Sequence, residues 1–212
     1  ILEFVFKNIK KLQNRLSRTS ARTALIFLTA LFLMSVLIPY ISPYNQDING
    51  AVHFEDAGQA PSFSHWFGTD AVGRDVFTIT IRAAFFSLKI AFGVVVFSVL
   101  LGVPIGMFAG LSGKRTEEIV MRITDGFLAF PPLILPLVIT TILGPSLNNV
   151  ILGISASWFP WYVRIARSQS LVISSSDYVS VSKSMGAGKL HIIKKHILPN
   201  SINPILTQAS ID

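Results

Sequence analysis

The sequence predicts an all-α, polytopic membrane protein, on three observations. Of its 212 residues, 51% are hydrophobic and 14% charged, and the mean hydropathy is +0.58, too apolar for an ordinary soluble domain of this size. Uncharged stretches long enough to cross a bilayer as helices recur along the chain. Lysines and arginines gather at the ends of those stretches, as membrane topology demands. They do not interleave with exposed aromatics, so the net charge of +7 argues for no nucleic-acid partner. The absence of cysteine excludes a disulfide framework and thiolate metal sites.

In chain order, residues 1–22 carry six basic side chains (Lys7, Lys10, Lys11, Arg15, Arg18, Arg22) against Glu3 and are expected to form a cytoplasmic basic segment. Contact of this flank with anionic membrane lipid is compatible with that placement. The apolar run that follows is too long for a signal-peptide core, and no small-residue cleavage site succeeds it. Residues 23–84 are therefore expected to hold a first transmembrane helix, within 24–41, and an extracytoplasmic loop. That loop carries Asp47, Glu55, Asp56, Asp70 and Asp75 against two arginines, which suits the outer side. Asp70, Arg74 and Asp75 can make a charge-paired turn, with Gly68 and Gly73 supplying positive φ. A rigid turn ahead of the next helix is favoured there over contact with a substrate.

Residues 85–212 are expected to form the membrane core. Arg82 and Lys89 lie on an amphipathic lead-in to a second span at 90–113, where Gly102, Gly106 and Gly110 form a small-residue ridge. Lys114, Arg115, Glu117, Glu118 and Arg122 make a charged inner turn. No charge lies between Asp125 and Arg164, and Gly144-Pro145 with Asn148-Asn149 reads as a tight outer turn, so spans are expected near 126–143 and 150–167. Pro131, Pro132 and Pro160 free carbonyls inside the bilayer, either lining a path or bending packed helices. A basic cytoplasmic loop, 168–199, then leads into residues 200–212. The count is at least four spans plus the start of a fifth, with the amino terminus in the cytoplasm.

The stretch 177–200, DYVSVSKSMGAGKLHIIKKHILPN, is polar and basic between apolar neighbours. Tyr178, Val181 and Met185 recur at helical spacing, and Leu190, Ile193 and Ile197 do so again. Two short amphipathic helices hinged at Gly186–Gly188 are expected, with Pro199 starting the next membrane segment. A solvated turn is the plain alternative. The loop is longer than a connector needs and keeps an apolar stripe with no core to bury it, which points to docking of another protein on Tyr178, Val181, Ser182, Met185, Gly186 and Gly188.

Several of these stretches carry a resemblance. His65-Trp66-Phe67-Gly68-Thr69-Asp70-Ala71-Val72-Gly73-Arg74-Asp75 fits H-x-x-G-T-D-x-x-G-R-D. Arg122-Ile123-Thr124-Asp125 before Phe130-Pro131-Pro132, and Trp158 to Arg164, fit the same group. Gly186 with His196-Ile197-Leu198-Pro199-Asn200 fits the glycine and ending of an EAA loop. Together they resemble the permease subunits of ATP-binding-cassette importers, in the dipeptide, oligopeptide and nickel branch. At the Glu-Ala-Ala positions stand Ser180, Val181 and Ser182, so the family's glutamate is absent, with any ionic contact it would make.

The resemblance implies a type I permease-like helical bundle, multi-pass in the cell membrane, importing peptides or a related small solute such as nickel. It implies a second homologous permease subunit, two cytoplasmic ATP-binding subunits on the loop, an extracytoplasmic solute-binding protein, and about two further spans beyond Asp212. The competing expectation is a membrane scaffold or assembly protein without a transport path.

No catalytic pattern fits the sequence. Gly113-Lys114 and Gly188-Lys189 lack the upstream glycine of a phosphate loop and a following Ser or Thr. Gly153-Ile154-Ser155-Ala156-Ser157 lacks the last glycine of a nucleophile elbow. His191 and His196, five apart, are not expected to share a helix face, and H-E-x-x-H is absent. No carboxylate sits inside a span to relay protons. The chain is expected to be no enzyme, with no cofactor or metal of its own and ATP hydrolysis in separate subunits.

Overall fold

The computed structural model describes residues 19–212, with side chains from Arg22 onward. The basic segment expected at 1–22 therefore lies outside the described residues, apart from its last few positions. All regular structure among the described residues is helical, with one isolated bridge between Thr69 and Asp75. The chain divides into two compact units, Ile1–Lys89 and Ile90–Asp212.

In the first unit, α1 spans Thr19–Ile41. Leu25, Ile26, Phe27 and Leu33 are exposed along it, as suits a helix bathed in lipid rather than water. Ser35 donates to the Phe32 carbonyl at 2.7 Å, so its hydroxyl is satisfied within its own helix. The loop that follows holds two short 3₁₀ turns, Asn45–Asn49 and Phe54–Asp56.

Helix α2, Val76–Leu111, is 36 residues long. At about 1.5 Å per residue it measures about 54 Å, well beyond a hydrocarbon core of about 30 Å. The lead-in carrying Arg82 and Lys89 is therefore the first part of this same helix, which begins at Val76 and not at 90. The cause is local. Asp75 accepts the Thr78 N–H at 2.8 Å and so caps the helix at Val76, and no glycine or proline follows until Gly93.

In the second unit the glycine ridge of α2 finds its partner in α5, Leu147–Ser174. A Cβ on Gly102 would lie 2.6 Å from the Phe159 carbonyl oxygen, and one on Gly106 only 2.2 Å from that of Val163. Only hydrogen fits there, which lets the two backbones touch. Met107, Tyr162, Val163 and Ala166 are buried along this seam. Pro160 sits inside α5 without ending it.

The segment 114–143 departs from expectation. The charged residues 114–122 belong to a full helix, α3 (Lys114–Leu128), and the chain breaks at Pro131-Pro132 before the ten-residue α4 (Ile134–Leu143). Neither proline can donate to the helix ladder, and the residue before a proline avoids helical angles, so one continuous span at 126–143 cannot form. Ser157 of α5 donates to the freed Pro132 carbonyl at 2.9 Å, and a Cβ on Gly153 would meet the Pro136 Cα at 2.5 Å. The break is thus packed and satisfied against α5.

By length and composition, 22–41 and 76–111 are long and apolar enough to cross a membrane. Helix α4 is apolar but short, and α5 is long but carries Arg164 and Arg167.

Candidate docking site

Helix α6 covers Asp177–Ser184. Its end is fixed by Gly186 at φ +87°, a left-handed angle that side chains resist. The Gly186 N–H donates to the Lys183 carbonyl (2.9 Å) and the Ala187 N–H to that of Ser182 (3.0 Å), the paired bonds of a Schellman ending. Gly188, at φ −72° and ψ 161°, opens α7 (Lys189–Ile192) in an ordinary extended conformation. The expected hinge therefore depends on glycine at Gly186 and not at Gly188.

Beyond α7 the helix does not stop. It passes through a π turn, Ile193–Ile197, directly into α8, Leu198–Ile211, with Pro199 in the first turn of α8. Pro199 was expected to start a separate segment. Instead its missing N–H is absorbed by loosening the preceding ladder: the Leu198 N–H bonds back to Ile193, and the Asn200 amide donates to the His196 carbonyl at 2.6 Å.

The π turn has a second consequence. Widening the helix brings residues five apart onto one face, so the His191 and His196 rings stand 6.1 Å apart, contrary to the expectation from α spacing. Tyr178 lies against His196 with ring centroids 5.6 Å apart.

The two apolar sets separate. Val179, Ile192 and Ile197 are buried in the core shared with Met107 and Tyr162, with Ile193 packed against it. Tyr178, Val181 and Met185 are 49%, 59% and 83% exposed, and Leu190 is exposed too. The second expected stripe is thus split, because the π turn rotates Ile193 and Ile197 inward and leaves Leu190 outside. An open depression of about 580 Å³ is lined by Tyr178, Val181, Ser182, Met185, Gly186 and Gly188, all six of the expected docking residues. Its other walls are Ala187, His191, Lys195 and His196. Sequence spacing missed the histidines and Lys195. The signal for them was Pro199, whose absent donor forces the ladder to slip one turn upstream.

The signature residues at 68–75 serve their own loop. Gly68 and Gly73 have φ of +73° and +84°, and a Cβ on Gly73 would lie 1.7 Å from the His53 carbonyl oxygen. Thr69 accepts from the Gln59 N–H (2.8 Å) and donates to the Asp56 carbonyl. Asp70 accepts from the Val72 and Arg74 N–H groups, both at 2.9 Å, and from the Arg74 guanidinium at 2.8 Å. These bonds, the Arg74 N–H foremost, hold its carboxyl below the ordinary carboxylate value against a smaller opposing effect of desolvation. Asp75, besides capping α2, bonds His65 Nδ1 at 3.0 Å, and its own N–H donates to Asp47. The expected turn is present, and the pairing is Asp70 with Arg74, while Asp75 turns inward to His65.

Two ion pairs tie α3 to α5. Arg164 reaches Asp125 at 2.6 Å, and Arg167 bonds Glu117. The charges that bound the long uncharged stretch thus neutralise each other.

An all-α chain with bilayer-length apolar helices, lipid-suited surfaces and a proline break satisfied by a neighbouring helix is a helical membrane protein. Residues 102–212 match the family model described as "binding-protein-dependent transport system inner membrane component", and the chain belongs to that family. It is 36% identical over 190 residues to the probable D,D-dipeptide transport system permease protein DdpC of Escherichia coli (strain K12), covering 90% of this chain and 63% of that protein. It is 34% identical over 206 residues to the dipeptide transport system permease protein DppC of Alkalihalophilus pseudofirmus, covering 97% of this chain and 65% of the relative. A Bacillus subtilis DppC is 35% identical over 191 residues, covering 90% of this chain and 59% of its own length. The chain thus spans less than two thirds of the length of these relatives.

Proposed function

We propose that this chain is the membrane-spanning part of a permease subunit in an ATP-driven importer of peptides or a related small solute such as nickel. It contributes to the translocation path and performs no chemistry itself. It crosses the membrane several times with its amino terminus in the cytoplasm, and its partners are a second homologous permease, two cytoplasmic ATP-binding subunits and an extracytoplasmic solute-binding protein. Family membership and relatives named as dipeptide permeases support the transport class.

The observation that carries the coupling role is the two-faced element at 177–197. One face is anchored by Val179, Ile192 and Ile197, and the other leaves Tyr178, Val181 and Met185 bare around an open depression. An apolar face held rigidly out of the core is stable in water only when a partner covers it. ATP-driven closure of the motor subunits would carry this element with it and tilt the helices between inward- and outward-open states.

The test is a crosslink from Met185→Cys or Ser182→Cys in the assembled complex, read by mass spectrometry. Capture of an ATP-binding subunit is the expected result. An assembled, active complex with no such adduct overturns the docking assignment.

A further inference from the structure

The charge around the depression is one-sided. Between 177 and 200 the chain carries Lys183, Lys189, Lys194 and Lys195 against Asp177 alone, and Ser180, Val181 and Ser182 contribute no charge. Lys189 is already engaged, its ammonium lying 5.5 Å from the centre of the Phe108 ring. Of the four lysines only Lys195 lines the depression, beside His191 and His196, and among the described ion pairs none involves it. An ammonium outside every described ion pair, beside two imidazoles that can each donate an N–H, can receive an anion.

From this geometry we infer that the depression seats a carboxylate side chain of the ATP-binding subunit against Lys195, with that subunit's neighbouring aliphatic groups lying on Tyr178, Val181 and Met185. The site is far larger than one carboxylate, so it admits a turn of polypeptide around the acid. A lipid headgroup would satisfy the lysine but would leave the exposed Val181 and Met185 in water, whereas a protein segment covers both. The polarity of the contact is therefore set by this chain as base and its partner as acid. A pair that leaves water on docking fixes orientation, because a misplaced partner strands the lysine without a counter-charge.

The inference rests on the docking reading above, and the experiment separates the two. The full transporter is assembled with Lys195→Glu or with Lys194→Glu, an equal charge change on an exposed residue outside the depression. Retention of the ATP-binding subunit is measured in nanodiscs of phosphatidylcholine and of phosphatidylglycerol. Lys195→Glu is expected to weaken retention about tenfold or more in both lipids, with Lys194→Glu near wild type. One Glu→Lys or Asp→Lys change in the ATP-binding subunit should restore it.

Equal loss from both lysine variants, a gap confined to the anionic lipid, or failure of every partner reversal to rescue would each overturn the inference. Unchanged retention with Lys195→Glu, while the Met185→Cys crosslink still forms, would sink the charge pairing and leave docking standing. Loss of the Met185→Cys crosslink in the otherwise wild-type complex would sink both.

Discussion

Replacing Gly186 with valine isolates the turn between α6 and α7 from everything else in the fold. Nothing lies within 4 Å of where a Cβ on Gly186 would stand, so the substitution causes no collision. Its whole cost is conformational. At φ +87° a β-branched side chain is strained by about 1–3 kcal/mol. Escape from that angle breaks the two bonds from Gly186 and Ala187 that close α6, each worth about 0.5–1.5 kcal/mol. The turn therefore loses about 2 kcal/mol whichever way it relaxes, enough to shift a local equilibrium by about 30-fold.

The anchors Val179, Ile192 and Ile197 are untouched by this change, so the subunit should still enter the membrane and assemble. What should fail is the angle between the two short helices. In proteoliposomes the expected outcome is ATP hydrolysis that persists while solute uptake falls by about tenfold or more, within that range of free energy. The order across substitutions sharpens the test: Asn, which tolerates the left-handed region, should do least harm, Ala more and Val most. Gly113→Val, at an ordinary φ of −67°, with open space around it and outside the depression, should leave uptake near wild type. Coupled uptake unchanged in Gly186→Val, or equal harm from Gly113→Val, would refute the reasoning.

Two further outcomes follow from the fold itself. Gly106→Leu drives a side chain into the Val163 carbonyl and should cost about 3 kcal/mol or more, read as a lowered unfolding temperature of the purified subunit, while Gly113→Ser, at an open helix cap, should stay within about 0.5 kcal/mol. For Asp70, a folded carboxyl held below its ordinary 3.8 means that the turn's ionic contribution is complete above 3.8 and is lost as pH falls through the lower folded value. Amide protection across 70–75, measured relative to the intrinsic exchange rate at each pH, should accordingly persist at 3.8 and fall only below it, and protection lost while the pH is still above 3.8 would contradict the assignment.

The periodic and compositional parts of this architecture were readable in the sequence because they rest on local rules. The apolar run at 24–41 falls within α1, the glycines of 102–110 mark a close helix approach, and Gly68 and Gly73 adopt the left-handed angles their positions suggested. What escaped depended on carbonyls and donors meeting across the chain. The start of α2 at Val76 rests on the Asp75 cap, the break before α4 on where the Pro132 carbonyl finds Ser157, and the side-by-side histidines on a π turn. A polar count along 114–122 reads as a turn, yet the segment is helical, and Arg164 and Arg167 of α5 hold it to that helix through Asp125 and Glu117. The six residues expected to dock a partner do share one depression, but their setting was not legible: spacing alone cannot say that Leu190 faces out while Ile193 and Ile197 face in.

That setting changes how motion would pass through the second unit. A loop joined to the membrane helices by flexible ends would absorb a displacement before it reached them. Here the element bends at two places, the turn at Gly186 and the π turn at Ile193–Ile197, and is otherwise continuous with its neighbours. Downstream, α7 runs through the π turn into α8 without a break, so displacement of Lys189 is displacement of the helix that carries Ile205. Upstream, α6 follows α5 after Ser175 and Ser176, and Val179 sits in the same buried cluster as Tyr162 and Ala166. Close-packed interiors transmit such shifts instead of damping them. The π turn is the remaining compliance, since its reshuffled bonds around His196 can return to α spacing only by rotating His191 away from its partner ring. Under the proposed function, then, a force applied to the bare face of Tyr178 and Met185 reaches α5 and α8 together, and the angle held by Gly186 sets how it is divided between them.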